Sequence, residues 1–368
     1  MFKKIVSITL FVVIVLRIGS LLYQSRNNYR ADYWDRYPTL RSVYGESQYR
    51  MKAWKYWIPD ETVYSYAAGA YVNGADPIII ESTQPPMGKY LIGLSILLTH
   101  SENTIVPVFF ILLMIGIYVL SMQVSGSSVV SLVVVLFAVF ERLFTDQIFI
   151  TPLLDIFLIT FIVYGVAAAS FALEKRKPVV LLLSYGCFGA ALMTKVWLIG
   201  AVFVIPVTIY ILLRAGKYYP YIIGGFVIML GLTLVNYIRM FFDGYNLIQV
   251  LLVQKWLYWY QTGKRSGLFT IWPLIFMNKW YVWWGEVPVI QDASWSVSWP
   301  LSIGTGILAS VWTLLQPIKK SRPAGYLVAI SIIAYAIFMS MGQPSARYLL
   351  PLLPFCYVMG GWILKTIL

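Results

Sequence analysis

The stretch TIVPVFFILLMIGIYVLSMQV, Thr104–Val124, contains no Asp, Glu, Lys or Arg. At a rise of about 1.5 Å per residue, a helix over it roughly matches the ~30 Å hydrocarbon core of a bilayer. Similar runs lie on both sides of it: Ile5–Tyr23, Ser128–Phe140, Thr151–Leu173, Val179–Thr194, Trp197–Leu213, Tyr219–Phe241, Trp299–Leu315, Ala324–Met341 and Tyr348–Ile367. The whole chain of 368 residues is 60% hydrophobic and only 12% charged. Its mean hydropathy is +0.74. Soluble domains carry about 25% charged residues, so ordinary soluble enzymes, disordered tails and collagen-like fibres are excluded. The expectation is an all-α polytopic membrane protein with about ten spans, nine to eleven, forming one domain over 1–368.

The distribution of charge sets the orientation. With a cytoplasmic N-terminus, the short inner pieces hold Lys3, Lys4, Lys175, Arg176, Lys177, Arg214, Lys217, Lys319, Lys320, Arg322 and Lys365. They hold one acid, Glu174, and all other acids fall at the outer side. That asymmetry is the positive-inside pattern. It makes the short run Lys89–Leu98 an interfacial or re-entrant helix, since counting it as a span would split the basic loops between sides. The run Ile5–Tyr23 has a signal peptide as its rival reading. Gln24-Ser25-Arg26 offers no small-x-small cleavage site, which favours a retained anchor. The net charge of +13 is therefore a matter of topology and implies no nucleic acid.

Two long hydrophilic segments then lie outside, 24–103 and 243–298. The first carries Pro59-Asp60-Glu61, Tyr64, Tyr71 and Gln84-Pro85-Pro86-Met87-Gly88-Lys89. Asp60 and Glu61 admit two readings: first-turn acids that complement a helix dipole, or a base held at the membrane surface. The second segment and its edge hold Trp256, Trp259, Trp272, Trp280, Trp283, Trp284, Trp295 and Trp299. Anchoring at the bilayer interface is the plain expectation for most of them. One or two could instead line a binding cleft. Lys255, Lys264 and Arg265 nearby are solvated loop charges or contacts to an anionic headgroup. Cys187 and Cys356 sit in apolar runs with no CxxC spacing, and His100 is the single histidine. With Asp35 lacking an Asp-x-Asp partner, no metal site or cofactor is assigned.

Taken in order, these segments resemble a known group. Asp60-Glu61, Tyr71-Val72-Asn73-Gly74 and Pro85-Pro86-Met87-Gly88-Lys89 look like the first outer loop of the protein O-mannosyltransferases. The loop is also similar to that of the bacterial lipid A aminoarabinose transferases. Three further segments resemble the same families: Thr151-Pro152-Leu153-Leu154-Asp155, Met193-Thr194-Lys195-Val196-Trp197 and Arg347-Tyr348-Leu349-Leu350-Pro351. Each is a weak signal alone, and together they run through most of the chain. Gln84 stands where the family has histidine, and Ile150 stands where the mannosyltransferases often have arginine.

The resemblance implies a GT-C glycosyltransferase with a polyprenyl-phosphate-linked sugar as donor. It implies inverting displacement onto a hydroxyl of a protein, glycolipid or cell-wall glycan, outside a plasma (inner) membrane. Asp60 would be the base, with Glu61 contacting hydroxyls. Lys89, Arg142, Asp155, Lys195, Arg347 and Tyr348 would serve the donor phosphate and sugar, and Tyr64 and Gln84 the sugar or acceptor. Asp155 would orient one of the cations, with a plain structural pair to Arg142 as the rival reading. The rivals are a lipid-linked-sugar flippase and a non-catalytic scaffold. A transporter would place ionisable groups near the midplane and show repeats, whereas here the acids crowd the outer loops.

Overall fold

The computed structural model describes residues 2–263, 267–282, 288–318 and 322–367. Lys264, Arg265, Trp283, Trp284, Lys319 and Lys320 lie outside the described residues. The chain forms α1 (Phe2–Gln24), α2 (Tyr33–Gly45), α3 (Asp60–Val72), α4 (Pro77–Ile80), α5 (Met87–Thr99) and α6 (Ile105–Ser125). It continues with α7 (Ser128–Phe140), α8 (Arg142–Phe149), α9 (Asp155–Glu174), α10 (Val180–Leu192), α11 (Trp197–Ala215) and α12 (Tyr219–Asn236). Then follow α13 (Ile238–Phe242), α14 (Leu247–Thr262), α15 (Ile271–Met277), α16 (Ser298–Leu314), α17 (Pro323–Met341) and α18 (Leu353–Ile367). A two-stranded hairpin pairs Trp280–Tyr281 with Val289–Ile290.

Among the described residues, five helices are long and apolar enough to cross a bilayer, or six if the bent pair α7–α8 counts as one. One of the five is the 40-residue run Trp197–Asn236, whose two halves, α11 and α12, both pack on α10. Gly200 lies beside Leu192 and the Tyr185 hydroxyl bonds Thr208, so α11 runs antiparallel to α10. Leu182 lies beside Gly224 and Gly189 beside Met229, so α12 runs parallel to α10. The run is thus two passes of the chain. The other expected spans are shorter helices: α7 and α10 have 13 residues, α16 has 17 and α18 has 15.

Helix α9 is the most enclosed of the long helices, with 72% of its apolar window buried. It packs against α6, α10, α11 and α17, and α18 closes the bundle against α6, α7, α16 and α17. Gly306 of α16 meets Cys356 of α18, where a Cβ would come within 2.7 Å of the thiol sulfur. Small residues at such crossings let helix backbones approach where lipid supplies no hydrophobic drive. Outward, Phe11, Leu16, Val227, Leu230, Leu308 and Ile337 remain exposed, an apolar surface suited to lipid and not to water. The protein is a multi-pass, all-α membrane protein.

Two expected starts shift. The run from Thr151 becomes helical only at Asp155, and the run from Tyr348 only at Leu353. Pro152 and Pro351 explain both, because a proline withholds an N–H and fits only the first helical turn. The break between α7 and α8 bends the pair by 55°. Glu141 sits there, buried. It accepts hydrogen bonds from Ser298 Oγ at 2.8 Å, Trp299 Nε1 at 3.1 Å and Tyr357 hydroxyl at 2.9 Å. Trp299 is accordingly a fully buried core residue and not part of an interfacial belt. The indole N–H groups of Trp272, Trp280 and Trp295 likewise bond protein, at Ser340 Oγ, the Pro344 carbonyl and the Ile275 carbonyl. They tie the second loop segment down onto the bundle. Arg17 lies over the Phe140 ring, 4.9 Å from its centroid, facing protein within the α1–α7 contact.

Candidate active site

Four charged side chains meet at one end of the bundle. Asp60 is the first residue of α3 and Asp155 the first of α9, each following a residue that makes no side-chain cap. A carboxylate in a first turn is favoured by the unpaired N–H groups there. Lys195 lies in the turn between α10 and α11, and Arg347 in a single 3-10 turn, Ala346–Leu349. Lys195 Nζ donates to Asp155 Oδ1 at 2.5 Å. Arg347 donates to Asp155 Oδ2 from Nε at 3.2 Å and Nη2 at 2.6 Å. Its Nη1 reaches Asp60 Oδ2 at 3.0 Å. The result is a chain Lys195–Asp155–Arg347–Asp60 of balanced charge. Asp155 and Lys195 are buried, while the side chains of Arg347 and Asp60 are each about a third exposed (32% and 36%).

Burial works against the Arg347 charge, but Asp155 and then Asp60 outweigh it and hold its pKa well above the ordinary arginine value. Burial, then the neighbouring Arg347, lowers the pKa of Lys195, with Asp155 opposing.

Asp60 opens onto a cavity of about 1190 Å³. Its polar wall includes Gln48, Tyr49, Tyr64, Glu81, Thr83, Gln84 and Gln261. Its other wall is apolar, with Val196, Leu198, Ile199, Leu268, Phe338, Met339 and Met341. Among these, Leu268 and Met341 are exposed. Gln84 Nε2 donates to the Tyr64 hydroxyl at 2.7 Å. The Oε1 atoms of Gln84 and Gln261 are buried with no partner. Buried acceptors left unpaired cost free energy unless something fills them. Tyr348 lines the cavity, and its carbonyl accepts from the Tyr335 hydroxyl at 3.0 Å.

The Pro85-Pro86 turn is placed by contact with the opposite segment. Met87 N–H bonds the Met193 carbonyl at 2.9 Å. Gly88 lies so close to α9 and to Thr194 that a Cβ would meet Leu154 Cδ2 at 2.7 Å. The absent side chain at Gly88 lets α5 dock closely here, and Gln84 and Asp60 share a cavity with Val196, Leu198 and Ile199 at the start of α11.

Other expected site residues go elsewhere. Lys89 is fully buried and does not line the cavity. Its ammonium pairs with the Glu81 carboxylate and donates to the Gln84 carbonyl at 2.9 Å. Tyr71 stands beside it, with hydroxyl contacts to the Pro77 and Glu81 carbonyls at 3.3 and 3.4 Å. Burial lowers the pKa of Lys89, and Glu81 opposes that shift. This group braces the loop. Breaking a buried pair costs about 3–5 kcal/mol, whereas replacing both partners is near neutral. Lys89→Met is therefore expected to lower the unfolding temperature in detergent, and Glu81→Gln with Lys89→Met to recover most of it. Unchanged stability of the single variant would refute the brace.

Glu61 does not line the cavity, because a helix turns about 100° between neighbours and Asp60 already faces it. Arg142 forms no ion pair with Asp155. It donates to the Ala293 carbonyl at 2.7 Å and lies 3.7 Å from Asp146, its neighbour one turn on in α8. Arg239 pairs with Asp243, and exposed His100 with Asp32. Asp35 is exposed on α2. Among the described residues, no three of His, Cys, Asp and Glu gather as a metal ion would need.

Two wall residues carried no sequence signal. The Tyr49 hydroxyl donates to Asp60 Oδ1 at 3.3 Å. The Gln48 amide exchanges hydrogen bonds with the backbone of Ile58, at 2.7 and 3.0 Å, which fixes the approach to Asp60. Burial and then Asp60 push the Tyr49 phenol pKa up, and Tyr64 is shifted the same way by the same causes. Of the second segment's tryptophans Trp259 lines the cavity, and Trp57 of the first segment lines it too.

The site is thus a set of paired acids and cations at one end of a helical bundle, beside a cavity with polar and apolar lining. Residues 83–238 match the sequence model of a family described as dolichyl-phosphate-mannose-protein mannosyltransferase. The fold is similar to the crystal structure of ArnT from Cupriavidus metallidurans bound to undecaprenyl phosphate, with a TM-score of 0.60 and 16% identity. That likeness covers 95% of this chain and 59% of the ArnT chain, so this chain spans about three-fifths of that structure's length. No curated protein matches the chain.

Proposed function

We propose that the protein transfers a monosaccharide from a polyprenyl-phosphate carrier to a hydroxyl acceptor, with Asp60 as general base. The observation that carries this is the ion-pair chain whose last member, Asp60, lines a cavity with both polar and apolar lining. The family match and the lipid phosphate in the ArnT structure support the same class of donor.

In the proposed step the acceptor oxygen attacks the anomeric carbon as Asp60 takes its proton. The bond from that carbon to the phosphate oxygen breaks, and the phosphate leaves with the electron pair. Its growing charge falls beside Arg347, the more exposed of the two cations, and fixed cations aimed at developing charge are a large catalytic term. Asp155 and Lys195 hold Arg347 in place. The donor phosphate would compete with Asp60 for Arg347 Nη1, which would free the base when donor arrives. The unfilled Oε1 atoms of Gln84 and Gln261 suit sugar hydroxyls, and the apolar wall suits the first prenyl units.

We place this site on the extracytoplasmic face of a plasma (inner) membrane, with the N-terminus in the cytoplasm. Lys175, Arg176, Arg214, Lys217 and Arg322 gather at the opposite end, as short cytoplasmic loops do. The test is transfer by purified protein in nanodiscs, given radiolabelled polyprenyl-phosphate sugars and a membrane extract. Label passing to a new product with release of polyprenyl phosphate is expected for one donor. Saturable donor binding with no transfer from any donor would replace this reading with a scaffold or transporter.

A further inference from the structure

The end of the bundle away from the site holds a second cavity, of about 810 Å³. Lys175 and Arg176 reach it from the turn after α9, Arg214 and Lys217 from the junction of α11 and α12, and Arg322 from the residue before α17. Glu174 is the one acid in its lining. Cations near helix C-termini are ordinary, since they complement the last carbonyls. Here three separate chain segments bring five of them onto one concave space, which dipole compensation does not require.

Arg214 is held in advance of any ligand. Its Nη1 donates to the Tyr210 hydroxyl at 3.1 Å and also to the Ile318 carbonyl. A pre-set guanidinium binds phosphate oxygens with less ordering cost than a free one. The cavity lies where helices end, and the apolar Leu212, Leu213 and Tyr219, flanking its lining residues in sequence, are exposed. A ligand there can be anionic at one end and apolar at the other.

We infer that this cavity binds a phosphate-bearing anion, either the headgroup of an acidic phospholipid or free phosphate. It is separate from the proposed transfer site and does not depend on that reading. Full-length protein in neutral detergent would be titrated with dioctanoyl phosphatidic acid, dioctanoyl phosphatidylcholine and inorganic phosphate, read by native mass spectrometry and thermal shift. Saturable binding of the acid but not the choline lipid is expected. Arg214→Gln with Arg322→Gln should weaken it about 10-fold or more. Lys175→Gln with Lys217→Gln, at exposed positions, should weaken it while leaving unfolding temperature unchanged. Equal competition by inorganic phosphate would assign the site to free phosphate, and no competition would assign it to the lipid. Undiminished phosphatidic acid binding in both double variants, equal binding of the choline lipid, or no saturable binding would overturn the inference.

Discussion

Asp60→Asn is expected to lower kcat for sugar transfer by about 10²–10⁴-fold, the usual contribution of a positioned base. The amide keeps the carboxylate's shape but cannot accept the acceptor's proton. Asp60 is about a third exposed, and its ion pair with Arg347 contributes little to stability there. The unfolding temperature should therefore hold, and donor binding should persist or tighten, since Arg347 loses one competitor for the phosphate. Binding of labelled donor, unfolding temperature and kcat, measured on one preparation, separate these effects. A kcat within a few-fold of the parent would remove Asp60 from the chemistry.

Arg347→Lys is expected to lower kcat by about 10²–10³-fold, as loss of a transition-state donor does. The side chain keeps its charge, so the outcome tests geometry. Arg347 contacts Asp155 through Nε and Nη2 and Asp60 through Nη1. A single ammonium cannot span both carboxylates with fixed donors. Asp155 keeps Lys195 at 2.5 Å, so the buried acid is not left unpaired and the fold should survive. Arg347→Ala should lose as much activity and also some stability. Activity of the lysine variant within about three-fold of the parent would show that charge alone suffices, and the bridging role would fall.

Much of the fold was legible in the residues because membrane solvation is a local constraint. A run such as Thr104–Val124 must be helical wherever it packs, since no water is present to satisfy its backbone. Short helices were legible too: α7 follows Gly126-Ser127, and α10 fills most of the apolar run Val179–Thr194. Their exact starts were less so: Pro152 and Pro351 delay helices that hydropathy alone begins earlier.

The candidate site was legible in part. Asp60, Asp155, Lys195 and Arg347 stand out as charges beside apolar runs, where an unneeded charge is costly. Lys89 and Arg142 stand out for the same reason, yet one pairs with Glu81 and the other with the Ala293 carbonyl. Tyr49 and Gln261 carry no such signal and still line the cavity.

By itself, then, the sequence determined the class of protein and the order of its long apolar helices. Those follow from the free energy of placing each segment in lipid or water, which depends on that segment's own composition. Only the tertiary structure decided which charge meets which. Arg347 and Asp60 are separated by almost the whole chain, and nothing local to either specifies the other. Their 3.0 Å contact exists because α17 packs against both α9 and α18, and because Gly88 lets the first loop dock against Leu154 and Thr194.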